Sequence, residues 1–201
     1  MVFPIDLNRL TPGFSDPVQG SRQTFRAILD AMAHPGRIVA TDNNVLSPPR
    51  PLNLASVAVC LTLLDFETTL WTDLKPNAKG NGWLRFHCGC SIVQDPSEAV
   101  FALITRSDTM PALNKFKPGN DESPEFSTTL IIQTGRLRST DGKRLTGPGI
   151  ETFSTLKAQG LTKRFWQDRQ SQSAMFPLGV DIIFTCENRL AALPRTSSVE
   201  G

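Results

Sequence analysis

One stretch limits what this chain can become more than any other: Gly13 to Gly36 carries both a start and a stop for a long helix. Asp16 can cap, Pro17 suits the first helical position, whose N–H would have no partner in any case, and Gln19 stands where a capping-box side chain belongs. Val18, Phe25, Ile28, Leu29 and Met32 then recur at spacings of seven, three and four, which places them on one face and predicts that this face is buried. Gln19, Arg22, Gln23, Arg26 and Asp30 form the opposite, solvated stripe. Pro35-Gly36 ends the run by disfavouring helical backbone at His34. The expected element is about 25 Å long.

Downstream signals alternate between strand and helix. Arg37 to Ala40 reads as a short strand, Asn53 caps an apolar helix from Leu54 to about Leu64, and Thr68 to Thr72 reads as a strand. Lys75 to Gly82 reads as polar loop or a poorly formed turn, and Trp83 to His87 as a further strand or a helix, which periodicity over so few residues does not separate. Asp95-Pro96 opens a short helix that feeds a strand from Phe101 to Thr105, and Asn114 to Glu125 reads as exposed loop. Thr128 to Gln133 is a strand, Asp141-Gly142 signals a hairpin, and Gly147-Pro148-Gly149 forces a tight turn. Leu161 to about Gln172 is a helix, and Val180 to Cys186 is an apolar strand that pairs with Leu190 to Leu193 across Glu187-Asn188. This order predicts an α/β fold in three layers, a mixed β-sheet covered by helices on both faces, built as a single domain over residues 1–201.

Three further stretches join the opening helix in a pattern: Leu145-Thr146-Gly147-Pro148-Gly149-Ile150, Phe176-Pro177-Leu178-Gly179-Val180-Asp181 and Leu193-Pro194-Arg195-Thr196. Together with Phe14-Ser15-Asp16-Pro17-Val18, the Phe25-Arg26 pair and Ala31-Met32-Ala33-His34-Pro35-Gly36, they resemble the PhnH family, the H subunit of the bacterial carbon-phosphorus lyase machinery. The resemblance implies a fold related to pyridoxal-phosphate-dependent transferases but lacking that cofactor (PLP), a homodimer, and assembly with the G, I and J subunits. It also implies a part in forming α-D-ribose 1-methylphosphonate 5-triphosphate from ATP and methylphosphonate. It assigns no catalytic residues. The alternative is a stand-alone small-molecule or nucleotide-binding enzyme that kept the fold.

Read for chemistry, the residues offer few sites. Gly147 and Gly149, with Lys143 and Arg144 just upstream, either present N–H groups to a phosphate or make a tight structural connection. Asp181 interrupts an apolar strand and needs a partner, for which Arg195 is placed, as a latch at the sheet end or as part of a ligand pocket. His87-Cys88-Gly89-Cys90 invites a metal reading, but an extended strand would send His87 to the face opposite Cys88 and Cys90, so no metal is expected. Lys163-Arg164-Phe165-Trp166 with Arg169 mixes cations and aromatics, yet a solvated helix face or a subunit contact fits better than nucleic acid, for which a net charge of +2 gives no impetus. Met1 to Leu10 lacks the apolar core of a signal peptide, and the longest apolar run, Leu54 to Leu64, is too short to span a bilayer. A cytoplasmic protein with four free thiols is expected. None of the seven lysines lies in a recognisable pyridoxal phosphate setting.

Overall fold

The computed structural model describes residues 10–41 and 46–200; the segment read against a signal peptide lies almost wholly outside them. Its frame is a seven-stranded sheet in the order β1-β9-β8-β5-β4-β2-β3. The strands are β1 (Val39–Ala40), β2 (Thr69–Thr72), β3 (Ser91–Val93), β4 (Phe101–Ile104), β5 (Thr129–Gln133), β8 (Asp181–Cys186) and β9 (Arg189–Leu193). From β8 through β5, β4 and β2 to β3 all neighbours are parallel, while β9 is antiparallel to both β8 and β1. A second, antiparallel sheet has the order β10-β6-β7, from β6 (Leu137–Thr146), β7 (Ser154–Ala158) and β10 (Ser198–Glu200).

Strand alternation divides the interior in two. Leu103, Ile131, Ile183, Leu190 and Ala192 point to one face of the large sheet, where α1 (Pro17–Ala33), α2 (Leu54–Leu63) and α3 (Lys79–Cys88) cover them. Ala102, Ile104, Leu130, Ile132, Ile182, Phe184, Ala191 and Leu193 point to the other. There the cover is α4 (Lys163–Ser173), through Phe165, together with Leu145 and Leu156 of the second sheet and Leu113 and Phe116 of the loop before β5. The mixed α/β sheet is as expected, but the second layer is a small sheet as much as a helix. β5 and β8 are apolar in nearly every residue because a central parallel strand is buried on both faces.

The first helix has the expected bounds and caps: Asp16 accepts from the Gln19 N–H at 3.0 Å, and Pro17 begins it. Gln19, Arg22, Gln23 and Arg26 are solvated as expected, but the face that packs is not the apolar stripe. The buried residues are Gly20, Thr24, Ala27, Ile28 and Ala31, whereas Val18 is 75% exposed, Phe25 47% and Leu29 51%. Only Ile28 of that stripe is buried, and Met32 is half-buried. Small side chains let the helix axis approach α2 and β9 closely, and close packing of backbone outweighs burial of a few large side chains.

Two further expectations fail for reasons of tertiary context. Residues 79–82 are not loop, and 83–87 take the helical alternative rather than the strand: both belong to α3, in which Gly80, Asn81, Trp83, Leu84 and Cys88 are buried with helical spacing. Ala78 gives α3 no side-chain cap, so its start carries no local signal. Asp141-Gly142 does not close a hairpin. Arg138 pairs with Lys157 and Lys143 with Leu156, so residues 139–142 bulge out of β6 as it runs past β7, and Asp141 takes φ 54° within the bulge. In the 114–125 loop, Phe116 is buried with its ring edge-on to Trp71 at 5.7 Å. The helix orientation is checked by overpacking: Ala31→Leu is expected to cost about 1–3 kcal/mol in urea unfolding, and Leu29→Ala less than about 0.5 kcal/mol. A large cost for Leu29→Ala beside a small one for Ala31→Leu would mean that the apolar stripe is the packed face.

Candidate functional site

Asp181 and Arg195 meet. β8 begins at Asp181 and its antiparallel partner β9 ends at Leu193, so the residue just beyond β9 lies beside the start of β8. The carboxylate accepts from the Arg195 backbone N–H at 2.7 Å and from Nε and Nη2 at 3.1 and 2.6 Å, while Arg195 Nη1 donates to the Pro124 carbonyl. The two side chains are 20% and 16% exposed, so the pair is largely withdrawn from water. Both oxygens of Asp181 and both terminal nitrogens of Arg195 are engaged within the fold.

Sequence reading missed a third member, Arg169. Its neighbours in sequence place it on a solvated helix face or a subunit contact, yet it is fully buried within the chain. Its Nη2 donates to the carbonyls of Pro194 and Ser197 at 2.6 and 2.9 Å, and Nη1 to Ser173 Oγ at 3.2 Å. Burial pulls the guanidinium down to about 10, with the Asp181 charge pushing it back up, so it stays charged at neutral pH. The segment Pro194–Ser197 is therefore gripped from two sides, by Asp181 on its N–H and by Arg169 on its carbonyls. Arg164 and Lys163, by contrast, are exposed as expected.

The Gly147-Pro148-Gly149 turn rests on both ends of this assembly. A Cβ at Gly147 would crowd the Thr196 carbonyl, and Gly149, at φ 80°, packs against the Ala33 carbonyl at the end of α1. Arg144 ion-pairs with Glu200 at 3.3 Å and lies over the Phe153 ring at 4.5 Å, while Lys143 is half-buried on β6. The Ile150 N–H turns back to the Gly147 carbonyl at 3.2 Å.

Cys88 and Cys90 do not share a strand. Cys88 ends α3, Gly89 is its left-handed cap, and Cys90 follows with Cys60 nearby; all are buried and free. The Cys88–Cys90 hydrogen bond raises the Cys88 thiol, as burial also does, and lowers Cys90, whereas desolvation raises Cys60. His87 packs on Trp83, and its Nε2 lies 3.0 Å from the Thr11 carbonyl. Among the described residues no three His, Cys, Asp or Glu side chains are grouped to hold a metal.

Two neighbouring hollows with one lining residue in common, Gln159, lie where the parallel strands end. A chamber of about 550 Å³ is lined by residues following β4 (Thr105 to Asp108), β5 (Thr134, Gly135) and β8 (Glu187), and by Asn53 at the start of α2. Asp73, just after β2, accepts from the Thr105 and Arg106 N–H groups at 2.9 and 2.8 Å, which fixes the turn that carries Ser107 and Asp108. Gln133 closes the floor: its Oε1 accepts from the Asn53 N–H at 2.6 Å and Ser56 Oγ at 2.8 Å. Beside the chamber, and sharing Gln159 with it, is a groove of about 290 Å³ lined by Arg136, Arg138, Lys157 and Gln159. In open α/β sheets this carboxyl edge is where ligands are bound. None of its residues is marked by a motif, because the pairing of β6 with β7 that assembles the groove is not encoded locally.

The Asp181–Arg195 pair yields a stability test. Asp181→Ala is expected to lower the unfolding free energy by about 3 kcal/mol, Arg195→Ala by a similar amount, and the double variant by less than the sum. Urea unfolding of the three variants measures this, and additive effects would mean that the two residues act separately.

Residues 12–200 match the family of bacterial phosphonate metabolism proteins, PhnH. A Rhizobium meliloti (strain 1021) protein, alpha-D-ribose 1-methylphosphonate 5-triphosphate synthase subunit PhnH, is 33% identical over 190 residues, 93% of this chain and 94% of that one. A Stutzerimonas stutzeri protein that carries the name of a C-P lyase subunit protein, HtxG, is 32% identical over 184 residues, 90% of this chain and 87% of that one. With a match spanning nearly the whole chain, the protein belongs to the PhnH family of bacterial phosphonate metabolism proteins.

Proposed function

We propose that this chain is a subunit of the carbon-phosphorus lyase core complex and serves the step that forms α-D-ribose 1-methylphosphonate 5-triphosphate from ATP and methylphosphonate. The observation that carries the reading is the end-to-end identity of 33% with a subunit named for that synthase. The reading includes a homodimer, assembly with the G, I and J subunits, a cytoplasmic location and a fold akin to the pyridoxal-phosphate-dependent transferases that works without pyridoxal phosphate. Two features support parts of it. No described helix is long and apolar enough to cross a membrane. Of the seven lysines, Lys143 is half-buried and the others are exposed, whereas a Schiff-base lysine is held in a desolvated pocket.

The chain's place is either accessory, holding other subunits in position, or direct, supplying ligand contacts to the synthase step. The carboxyl-edge chamber of about 550 Å³ supports the direct form, since it lies at the edge where open α/β sheets bind ligands. Complementation is the test. In a phosphonate-degrading bacterium lacking its own H subunit, this chain is expected to restore growth on methylphosphonate and to co-purify with the G, I and J subunits. Failure of both in a host that expresses the folded chain would favour the stand-alone enzyme instead. Sedimentation at micromolar concentration is expected to show a dimer, and a stable monomer would remove that part of the reading.

A further inference from the structure

We propose that the groove beside the carboxyl-edge chamber is a polyphosphate site, and that groove and chamber together take a ribose 5-triphosphate. The argument begins with strand geometry. Arg138 and Lys157 are directly opposed in the β6–β7 ladder, so their side chains emerge on the same face. The ladder continues beyond the strands: the Gly135 N–H donates to the Gln159 carbonyl at 3.0 Å and the Gln159 N–H to the Arg136 carbonyl at 2.9 Å. Arg136 and Gln159 are each two residues along from that pair and share its face, whereas Leu137 and Ala158 alternate to the buried face and join the core. Three cations are thus aligned over about 7 Å of strand.

This arrangement works against folding. Like charges directly opposed across an antiparallel pair repel. Among the described residues no carboxylate forms an ion pair with Arg136, Arg138 or Lys157, although Arg144, further along the same β6 strand, has Glu200. An unrelieved cationic cluster on a rigid ladder is what a polyanion needs, because guanidinium forks bind phosphate oxygens in pairs and lysine adds a point charge. The apolar backs of Leu137 and Ala158 hold the cluster in place without the ligand.

The chamber has the opposite character. Its carboxylates, Asp108 and Glu187, can accept from hydroxyl groups, and Ser107, Thr134 and Gln159 supply further polar contacts. Arg106 stands exposed among its lining residues. A ligand that fits has phosphates at one end and a hydroxyl-rich ring at the other. Taken with the proposed function, on which this last identification rests, the shared chemistry is the ribose 5-triphosphate common to ATP and to the synthase product.

Calorimetric titration of the purified full chain at low ionic strength tests the site. ATP, inorganic tripolyphosphate, α-D-ribose 1-methylphosphonate 5-triphosphate and adenosine are the probes. The phosphorylated probes are expected to bind, the two ribose triphosphates more tightly than tripolyphosphate, and adenosine at least tenfold more weakly than ATP. The stronger of ATP and the ribosyl compound identifies the substrate or the product side of the reaction. Arg136→Ala/Arg138→Ala/Lys157→Ala should weaken binding of all three by more than tenfold. Lys157→Glu turns repulsion across the ladder into attraction, so it should keep or raise the melting temperature while weakening ATP binding, which separates loss of a site from loss of the fold. Polyphosphate binding that survives both variants, or no binding by the wild-type chain, would overturn the groove. If ATP binds in the groove but the chain neither supports growth on methylphosphonate nor joins the other subunits, the proposed function fails and the polyphosphate site stands. If growth and assembly hold but the groove variants change no affinity, the reverse is true.

Discussion

The fold depends on one constraint, the burial of β5 and β8 on both faces. Leu130, Ile132, Ile182 and Phe184 pack to one side and Ile131 and Ile183 to the other, and all are fully buried. A parallel pair of this kind is stable only if each face is covered, and the cover accounts for nearly every other element. Helices α1 to α3 close one side, and α4 with the small sheet closes the other. Because the parallel strands run the same way, their carboxyl ends open at one edge, where the loops after β4, β5 and β8 gather into the chamber. The site's location is a consequence of the way the sheet is buried.

The opposite, amino-terminal end of β8 is closed by charge. Asp181, Arg195 and Arg169 would each be costly to withdraw from water alone; Asp181 and Arg195 pair with each other, and Arg169 donates through Nη2 to the Pro194 and Ser197 carbonyls. The grip has a topological purpose. It turns the chain from β9 in the large sheet to β10 in the small one, and so joins the two layers that enclose the second core. The Gly147–Gly149 turn packs against the same segment and against the end of α1, which ties the second sheet to the helical layer as well.

The two ends of the sheet treat charge differently. At the β8 start every cation has an acceptor. At the carboxyl edge Arg136, Arg138 and Lys157 stand together with no carboxylate paired to them among the described residues, on a ladder whose reverse side is core. A fold that pairs Asp181 with Arg195 and gives Arg169 carbonyl acceptors at one end, yet leaves repulsion unrelieved at the other, puts the conflict at a place suited to a ligand.

Local chemistry alone determined a good part of this protein. Asp16-Pro17 and Pro35-Gly36 set the ends of α1, Asn53 set the start of α2, and apolar runs marked β5 and β8, because caps, turns and periodicity act within a few residues. The polar interruption at Asp181 was readable too, since a carboxylate in a buried strand requires a partner and the hairpin brings Arg195 near. Other features were decided by what lies far away in the chain. The packed face of α1 follows from how closely α2 and β9 can approach its small residues, α3 is helical because Trp83 and Leu84 are buried together, and Arg169 is interior because Pro194 and Ser197 offer it carbonyls. The groove exists only through the pairing of β6 with β7, in which a bulge of residues 139–142 sets Arg138 against Lys157, and no pattern within either segment specifies a register between them.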